Sequence, residues 1–314
     1  MDTKSANEIK LKLDKIAQEK VISNAYIFYG PEHVGKKEAA LRFIAKIIKT
    51  NHSDLDVYEQ IKDNNYPDYL KIEPTLISKG NLINKSEIDK EKNQTAKTLI
   101  RIEQIRNIKV FLSKKSIQST KKFILIENAH LLNESSSNCL LKTLEEPTNG
   151  VFILLTSRLN VLLDTIISRC QIIRFKPYTN QALKQLLEQS KHKNTFLLSD
   201  SEVLEDLIFI SNGSPGKLLS NLEIWNQIPE NIKKDIKFPL RNYESVLFLA
   251  KNISSSLDLN QQEFLLTLMQ RNWWKKTKDK KIIQILETIN NNINSNVQPR
   301  ICWEVGLLKV KLED

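Results

Sequence analysis

Five short apolar runs, separated by helical patterns, constrain the fold of this chain more than any other feature. The runs are AYIFY (25–29), YLKI (69–72), FILI (123–126), VFILLT (151–156) and IIRF (172–175). Continuous apolar runs of this length are typical of strands that are buried on both faces of a parallel sheet. Between them, residues 36–48 and 134–146 place apolar side chains on one stripe of a helix. Alternating strands and helices predict an α/β domain whose sheet is covered on both faces.

The strand pattern ends near Pro177, and the rest of the chain is predicted to be helical. We therefore predict an α/β domain over residues 1–176, a small helical domain over 177–226 and a C-terminal helical domain over 227–314. The segment 227–240, with a proline near each end, is a candidate linker. The polar stretch 78–98 is predicted to be a long exposed loop.

Composition and spacing exclude several classes of protein. No apolar run approaches the roughly 20 residues that span a bilayer, and the N-terminus lacks the apolar core of a signal peptide. Cys139, Cys170 and Cys302 are far apart, so neither a disulfide framework nor a cysteine zinc site is expected, and a cytoplasmic location fits. The net charge of +10 is compatible with nucleic-acid binding, but abundant Lys, Asn and Ile also fit an A/T-rich genome.

The segment GPEHVGKK, Gly30 to Lys37, follows one predicted strand and opens a helix, which is the context of a phosphate-binding loop. Gly30 and Gly35 would let the backbone wrap around phosphates, and Lys36 occupies the position of the lysine that reaches the β- and γ-phosphates. The next position should be Ser or Thr, whose hydroxyl holds Mg²⁺, but here it is Lys37. We interpret the segment as a degenerate P-loop that could still bind ATP or ADP weakly. The alternative is a chance match in a turn.

The apolar strand in KKFILIENAH (121–130) ends in Glu127 and Asn128, where an active Walker B strand would end in Asp-Glu. Asn128 cannot act as a general base, because an amide does not take up a proton near neutral pH. Ordinary polar residues at a strand end are the alternative, and both interpretations predict no hydrolysis. Thr156 and Ser157 end the next strand, where Thr156 is a candidate polar sensor, although polar strand ends are common.

Ser168, Arg169 and Cys170 precede the last predicted strand. Arginine offers a planar, permanently charged fork that suits phosphate oxygens. A single Arg at a strand start is usually solvated or salt-bridged, so a functional role for Arg169 depends on the other motifs.

Taken together, these segments resemble a known family. NAYIFYGPEHVGK, NYPDYLKIEP, IRIEQIRNI, FILIENAHLLNESSSNCLLKTLEEP, ISRCQIIRF and NGSPGK occur in the order found in the AAA+ clamp-loader subunits of bacterial DNA polymerase III, and most of all in the delta prime subunits. The resemblance is dense from Asn24 to Lys217 and thin beyond. It implies an AAA+ P-loop module with a parallel sheet, a helical lid domain at 177–226 and a helical collar domain at 227–314 that joins a ring of subunits.

The resemblance also implies roles for the motif residues. Arg169, between Ser168 and Cys170, would act as an arginine finger in trans, in the nucleotide site of a neighbouring gamma/tau subunit. The chain's own nucleotide site would be non-hydrolysing and would consist of Gly30, Gly35, Lys36, Lys37, Glu127, Asn128 and Thr156. The implied partners are the gamma/tau and delta subunits and, through the assembled complex, the sliding clamp and primer–template DNA, with no membrane. No ATPase or polymerase activity of its own is expected, although the chain would be part of a DNA-directed DNA polymerase holoenzyme.

The sequence departs from the family in two further places. Many relatives carry four zinc-binding cysteines in the stretch that corresponds to 51–120, which has none here, so we predict no zinc and no required cofactor. The sensor arginine that hydrolysing relatives carry after Gly-Ser falls at Gly216. Losing the Mg²⁺ hydroxyl, the base and the sensor together favours an inactive site.

Two alternative functions remain open at this point. A gamma/tau-type, ATP-hydrolysing motor is supported by Lys36 and the glycines beside it. A stand-alone DNA-binding protein is supported by the net charge and by the tract 271–281, which has six Lys or Arg against one Asp beside Trp273 and Trp274. For this tract, a solvated helix face with its tryptophans in the core or a subunit interface is the favoured interpretation.

Overall fold

The computed structural model describes residues 3–19, 21–48, 54–78, 81–84, 98–146, 149–189, 201–240, 242–295 and 297–313. The chain divides into two compact units, Met1–Tyr178 and Thr179–Asp314. Apart from residues 177–178, the predicted lid and collar lie in the second unit, and their separation into two domains stays a prediction.

The first unit is built around a five-stranded parallel sheet with the strand order β2-β5-β6-β1-β7. Each of its strands falls on one of the five predicted apolar runs, so the predicted α/β fold with a parallel sheet is confirmed. The strands are β1 (Ala25–Tyr29), β2 (Tyr69–Ile72), β3 (Thr75–Ser78), β4 (Asn81–Asn84), β5 (Lys122–Ile126), β6 (Gly150–Thr156) and β7 (Gln171–Arg174).

Helices cover both faces of this sheet because successive side chains of each strand point to opposite faces. Tyr26 and Phe28 of β1 pack into the core formed with α1, α2 and α3. Ile27 packs into the core on the other face, formed with α4, α5 and α6. The helices are α1 (Thr3–Gln18), α2 (Lys36–Ile47), α3 (Asp54–Lys62), α4 (Ile102–Ser113), α5 (Glu134–Glu145) and α6 (Asp164–Ile167).

The second unit is helical throughout the ranges that the structure describes. Its core contains Trp273, whose Nε1 donates to the Ile236 carbonyl at 2.9 Å, and Trp303, whose Nε1 donates to Gln262 Oε1 at 2.8 Å. A buried Trp273 cannot stack on DNA bases, which agrees with its predicted place in the core. The helices are α7 (Asn180–Gln189), α8 (Ser201–Ile210), α9 (Pro215–Gln227), α10 (Glu230–Asp235), α11 (Tyr243–Ser256), α12 (Leu259–Thr277), α13 (Lys280–Asn294) and α14 (Pro299–Glu313).

The predicted loop over residues 78–98 is wrong at its start. Strands β3 and β4 form an antiparallel hairpin in which Leu76 pairs with Ile83 and Ile77 with Leu82. The apolar cross-strand pair of Leu76 and Ile83 stabilises the hairpin within a stretch that is polar on average. Residues 79–80 and 85–97 of the predicted loop lie outside the described residues.

The candidate linker 227–240 is part of the core of the second unit rather than an exposed connection. It contains α10 and buries one isoleucine or leucine at every fourth position, which is the spacing of one helical face. The buried residues are Ile228, Ile232, Ile236 and Leu240. None of the helices in the described ranges combines the length and apolarity needed to cross a membrane.

Candidate functional site

The carboxyl ends of three neighbouring strands bring the predicted nucleotide-site residues together. Gly30 directly follows β1, Thr156 ends β6 and Glu127 directly follows β5, and β6 lies between the other two strands. The Gly30 amide donates to the Thr156 carbonyl at 3.2 Å. Ligands of open parallel sheets bind at this edge, outside the carboxyl ends of the strands.

The two glycines of the loop serve different purposes. Gly35 caps the N-terminus of α2 with φ of 93°, a left-handed conformation that glycine adopts without steric cost. No side chain caps this helix end, so its first amides can receive an anion. Gly30 instead allows a close approach, because a Cβ on it would lie 2.2 Å from the carbonyl oxygen of Phe175.

Lys36 is folded back onto its own loop. Its Nζ donates to the carbonyl of Gly30 at 2.6 Å and also to that of Pro31. Burial disfavours the charged ammonium and lowers the pKa of Lys36 to about 8, although the Glu32 carboxylate acts in the opposite direction. The lysine is therefore partly desolvated, and the acceptors of these two hydrogen bonds are neutral oxygens.

Lys37 forms an ion pair with Glu127. Its Nζ lies 2.8 Å from Glu127 Oε1, and the Glu127 side chain is only 17% exposed. Lys37 lies in the first turn of α2, which follows β1, and Glu127 directly follows β5, so the pair connects the start of α2 to the end of β5. Sequence reasoning named both residues but did not pair them, although their opposite charges were a usable signal.

Asn128 has a structural role in the turn after β5. It adopts a left-handed conformation with φ of 51° and caps the short 3₁₀ turn Ala129–Leu131. Its carbonyl accepts from the Leu131 amide at 2.8 Å. Asparagine tolerates this conformation better than most residues, which gives a physical reason for an amide where a hydrolytic site needs a carboxylate.

The residues of this site do not fit the Mg²⁺ that accompanies ATP in a working P-loop. An ammonium group, which has no lone pair for a metal, stands in place of the ligating hydroxyl at Lys37. The same ammonium is paired with the carboxylate of Glu127, and Asn128 offers no second carboxylate. Within the described ranges, no group of three or more His, Cys, Asp or Glu residues could hold a metal ion.

Thr156 is buried, and its hydroxyl is held within the chain. It accepts from the Arg158 amide at 3.1 Å, and its Oγ1 lies 3.3 Å from Nδ1 of His130. His130, in the turn after β5, was not singled out by the sequence. Thr156 therefore links the ends of β5 and β6 and lies beside the Gly30 loop.

Arg169 lies at the end of α6 and is exposed. Its Nη2 donates to Glu145 Oε1 at 2.7 Å, and its Nη1 donates to the Thr165 carbonyl at 3.0 Å. These partners belong to α5 and α6, not to the loop between β1 and α2. Sequence reasoning missed Glu145, although the acidic end of LLKTLEEP was a signal for it.

The residues that flank Arg169 shape the turn that presents it. The Ser168 hydroxyl donates to the Thr165 carbonyl at 3.1 Å, which closes the last turn of α6. Cys170 packs against the sheet core, and burial raises the pKa of its thiol to about 12. A thiol with this pKa is protonated at neutral pH, so Cys170 serves as an anchor and not as a nucleophile.

Comparisons with known proteins place this geometry in a family. The family model described as DNA polymerase III, delta subunit, matches residues 5–179. A second model, described as cyanobacterial DNA polymerase III delta prime, C-terminal domain, matches residues 181–310.

Two different kinds of subunit match the chain at the same identity. The delta' subunit of DNA polymerase III from Bacillus subtilis (strain 168) is 28% identical over 243 residues, which are 71% of this chain and 67% of that protein. The tau subunit from the same organism is 28% identical over 283 residues, which are 85% of this chain. The chain spans only 45% of the length of that tau subunit.

Among solved structures, a DNA polymerase III gamma subunit-related protein from Thermotoga maritima superposes with a TM-score of 0.48 at 18% identity. The superposition covers 96% of this chain and 98% of the Thermotoga chain.

The family is assigned from the sequence models. The delta-subunit model alone matches more than half of the chain. The chain therefore belongs to the DNA polymerase III delta-subunit family of AAA+ clamp-loader proteins.

Proposed function

We propose that this chain is a delta prime-type clamp-loader subunit that does not hydrolyse ATP and donates Arg169 to a neighbouring gamma/tau ATPase. The loader of which it is part would place the sliding clamp on primed DNA. The observation that carries the proposal is the contrast between two sites of the chain. The nucleotide site contains the Lys37–Glu127 ion pair, while the guanidinium of Arg169 is exposed.

The first half of the contrast argues against hydrolysis by the chain itself. Cleavage of a γ-phosphate needs a metal ion that neutralises developing charge and a group that orients the attacking water. Lys37 and Asn128 stand where these functions require a hydroxyl and a carboxylate. Lys36 and the uncapped amides of α2 remain, so nucleotide binding and nucleotide cleavage are separable in this site.

The second half concerns a site in another subunit. The Arg169 side chain is 39% exposed and Glu145 is 53% exposed. Ion pairs this exposed contribute little to stability, so the guanidinium can exchange Glu145 for a phosphate at small cost. A γ-phosphate gains negative charge as its bond breaks, and a positioned guanidinium stabilises that charge. Hydrolysis by the neighbour would then depend on the register of the two subunits.

The second unit carries surfaces suited to assembly. Two of its helices expose large apolar side chains at spacings that place them on one stripe of each helix. These residues are Tyr243, Leu247 and Phe248 on α11, and Ile301, Val305 and Leu312 on α14. They support a collar that packs against gamma/tau and delta subunits, with the clamp and primer–template DNA engaged through the complex in the cytoplasm.

The test is a loader reconstituted with Arg169→Ala in this chain. The neighbouring site should lose about 10³-fold or more of its hydrolysis rate, as expected when an arginine finger is removed. Arg174→Ala is the matched control, since Arg174 is an exposed arginine on β7. Gel filtration should show that both variants assemble. Wild-type turnover by an assembled Arg169→Ala loader would reject the proposal.

A gamma/tau-type motor is the second candidate, and one observation favours it. The tau relative aligns with more of this chain than the delta' relative does, at the same identity. A motor requires Mg²⁺-dependent ATP turnover by the isolated chain, and Lys36→Ala should abolish it. The non-hydrolysing proposal predicts that the wild-type chain and Lys36→Ala both remain at background.

A further inference from the structure

The Lys37–Glu127 ion pair places a fixed positive charge beside the loop, at the position where a working P-loop holds Mg²⁺ through its hydroxyl. We propose that Lys37 replaces the metal, so that this loop binds the phosphates of a nucleoside di- or triphosphate without a divalent cation. The inference deepens the proposed function and rests on it, because it assigns a ligand to the same non-hydrolysing site.

The placement of Lys37 favours an anionic ligand. Lys37 is the second residue of α2, at the end of the helix where the backbone dipole is positive and a cation is disfavoured. Glu127 compensates for one positive charge. Lys36, the uncapped first amides of α2 and the half-exposed ammonium of Lys37 still face the loop. Glu32 also acts on Lys36, so the two lysines are balanced by two glutamates, and the attraction for an added polyphosphate comes from the lysine donors and the amides at the positive end of α2.

The same charges disfavour Mg²⁺. A divalent cation near Glu127 would have to displace the Lys37 ammonium or lie beside it, and both outcomes are costly because like charges repel. Glu32 in the loop and Glu38 in the first turn of α2 are further acidic groups nearby, and Glu32 accepts from the Ser157 hydroxyl at 3.3 Å. A nucleotide entering with Mg²⁺ carries less negative charge than free nucleotide and gains less from the two lysines.

Lys36 can turn towards such a ligand. Its present acceptors, the Gly30 and Pro31 carbonyls, are neutral. All these hydrogen bonds are charge-assisted because the ammonium is charged. A phosphate oxygen also carries a negative charge, which a carbonyl lacks, so it adds a coulombic attraction to the bond.

A cavity next to the loop can receive the nucleoside. It has a volume of ≈ 520 Å³, begins at Val34 and Gly35, and continues along α2 to Phe43, with Phe175 and Tyr178 also in its wall. This volume is within the usual range of small-molecule sites, which are mostly apolar. The loop and the cavity together fit a nucleotide better than inorganic phosphate.

Calorimetric titration of the full chain with ATP, once in EDTA and once in excess Mg²⁺, tests the inference. We expect a dissociation constant in EDTA that equals or is lower than the value in Mg²⁺. Lys37→Thr restores the hydroxyl of a working P-loop and should weaken metal-free binding about tenfold or more, the loss of one charge-assisted contact. In this variant, Mg²⁺ should instead strengthen binding.

The matched control is Lys109→Thr, which removes an ion pair of similar length, 2.9 Å, on α4. It should bind ATP as the wild-type chain does, and circular dichroism should show both variants folded. ATP binding that requires Mg²⁺, no measurable binding, or a Lys37→Thr variant that behaves as wild type would each overturn the inference. None of these results changes the turnover expected for Arg169→Ala, so failure of this inference and failure of the proposed function are distinguishable.

Discussion

Replacing Asp68 by Asn should destabilise the first unit by about 3 kcal/mol, since three backbone amides each lose a bond to a charged acceptor. Asp68 is 1% exposed and immediately precedes β2. It accepts from the amides of Ile117, Gln118 and Ser119 at 2.9, 2.7 and 2.9 Å. The carboxylate therefore fixes the loop that leads into β5, the strand that ends beside Glu127.

The magnitude follows from these contacts. Hydrogen bonds to a charged group contribute about 1.5–3 kcal/mol each, and neutral ones about 0.5–1.5. Three amides that each lose about 1 kcal/mol give the total, and the NH₂ group of an asparagine would also face donors. For a unit of this size the loss corresponds to a fall in Tm of roughly 6–12 °C.

The effect should also depend on pH. Burial alone would raise the pKa of Asp68, but the amides of residues 117–119 and the Ser119 hydroxyl outweigh it and hold the pKa below its ordinary value. A depressed pKa in the folded state means that the stabilisation is complete above the unfolded carboxyl pKa of about 4. It is lost as the pH falls through the folded value. The gap between wild type and variant should therefore shrink below about pH 4.

Urea unfolding at neutral and acidic pH measures both effects. Asp63→Asn is the control, because Asp63 is an exposed aspartate on the same unit. It should change the free energy of unfolding by no more than about 0.5 kcal/mol. An Asp68→Asn variant as stable as wild type, or a gap that is the same at every pH, would refute the reasoning.

Two further substitutions test the packing around the site and in the second unit. Gly30→Ala places a Cβ 2.2 Å from the Phe175 carbonyl oxygen. Overpacking should lower the free energy of unfolding, measured in urea, by about 1–3 kcal/mol. Unchanged stability would contradict the close approach. Trp273→Phe leaves the buried Ile236 carbonyl without its donor and should cost about 1–3 kcal/mol in thermal unfolding. The control is Trp274→Phe, because Trp274 is the next residue and is partly exposed. If both variants lost the same amount of stability, the result would count against the buried hydrogen bond of Trp273.

The sequence was sufficient to predict the five strands of the parallel sheet from their apolar runs. The central strands β1, β5 and β6 are buried almost throughout, whereas β7 at the edge is mostly exposed, unlike the burial on both faces that its apolar run predicted. The sequence also located the loop between β1 and α2, since Gly30, Gly35 and Lys36 have a recognisable spacing between a strand and a helix; phosphate binding by this loop stays a prediction. The hairpin of β3 and β4 was missed because each of its strands has only two apolar residues between polar ones.

The sequence contained the opposite charges but did not specify which of them pair. Lys37 meets Glu127 because α2 begins and β5 ends at the same edge of the sheet, and a pattern of apolar runs does not specify strand order. Glu145 meets Arg169 because α5 and α6 pack together, which requires the tertiary structure. Both pairs connect residues that are far apart in the chain.

Single-turnover hydrolysis of ATP bound by the neighbouring gamma/tau subunit tests the central claim most directly. The rate is compared between loaders that carry wild-type chain, Arg169→Ala or Arg169→Lys, each with clamp and primed DNA present. We expect Arg169→Ala to slow the chemical step by about 10³-fold or more. Arg169→Lys should recover only part of the loss, because lysine lacks the planar fork. Equal rates in all three loaders would contradict the account.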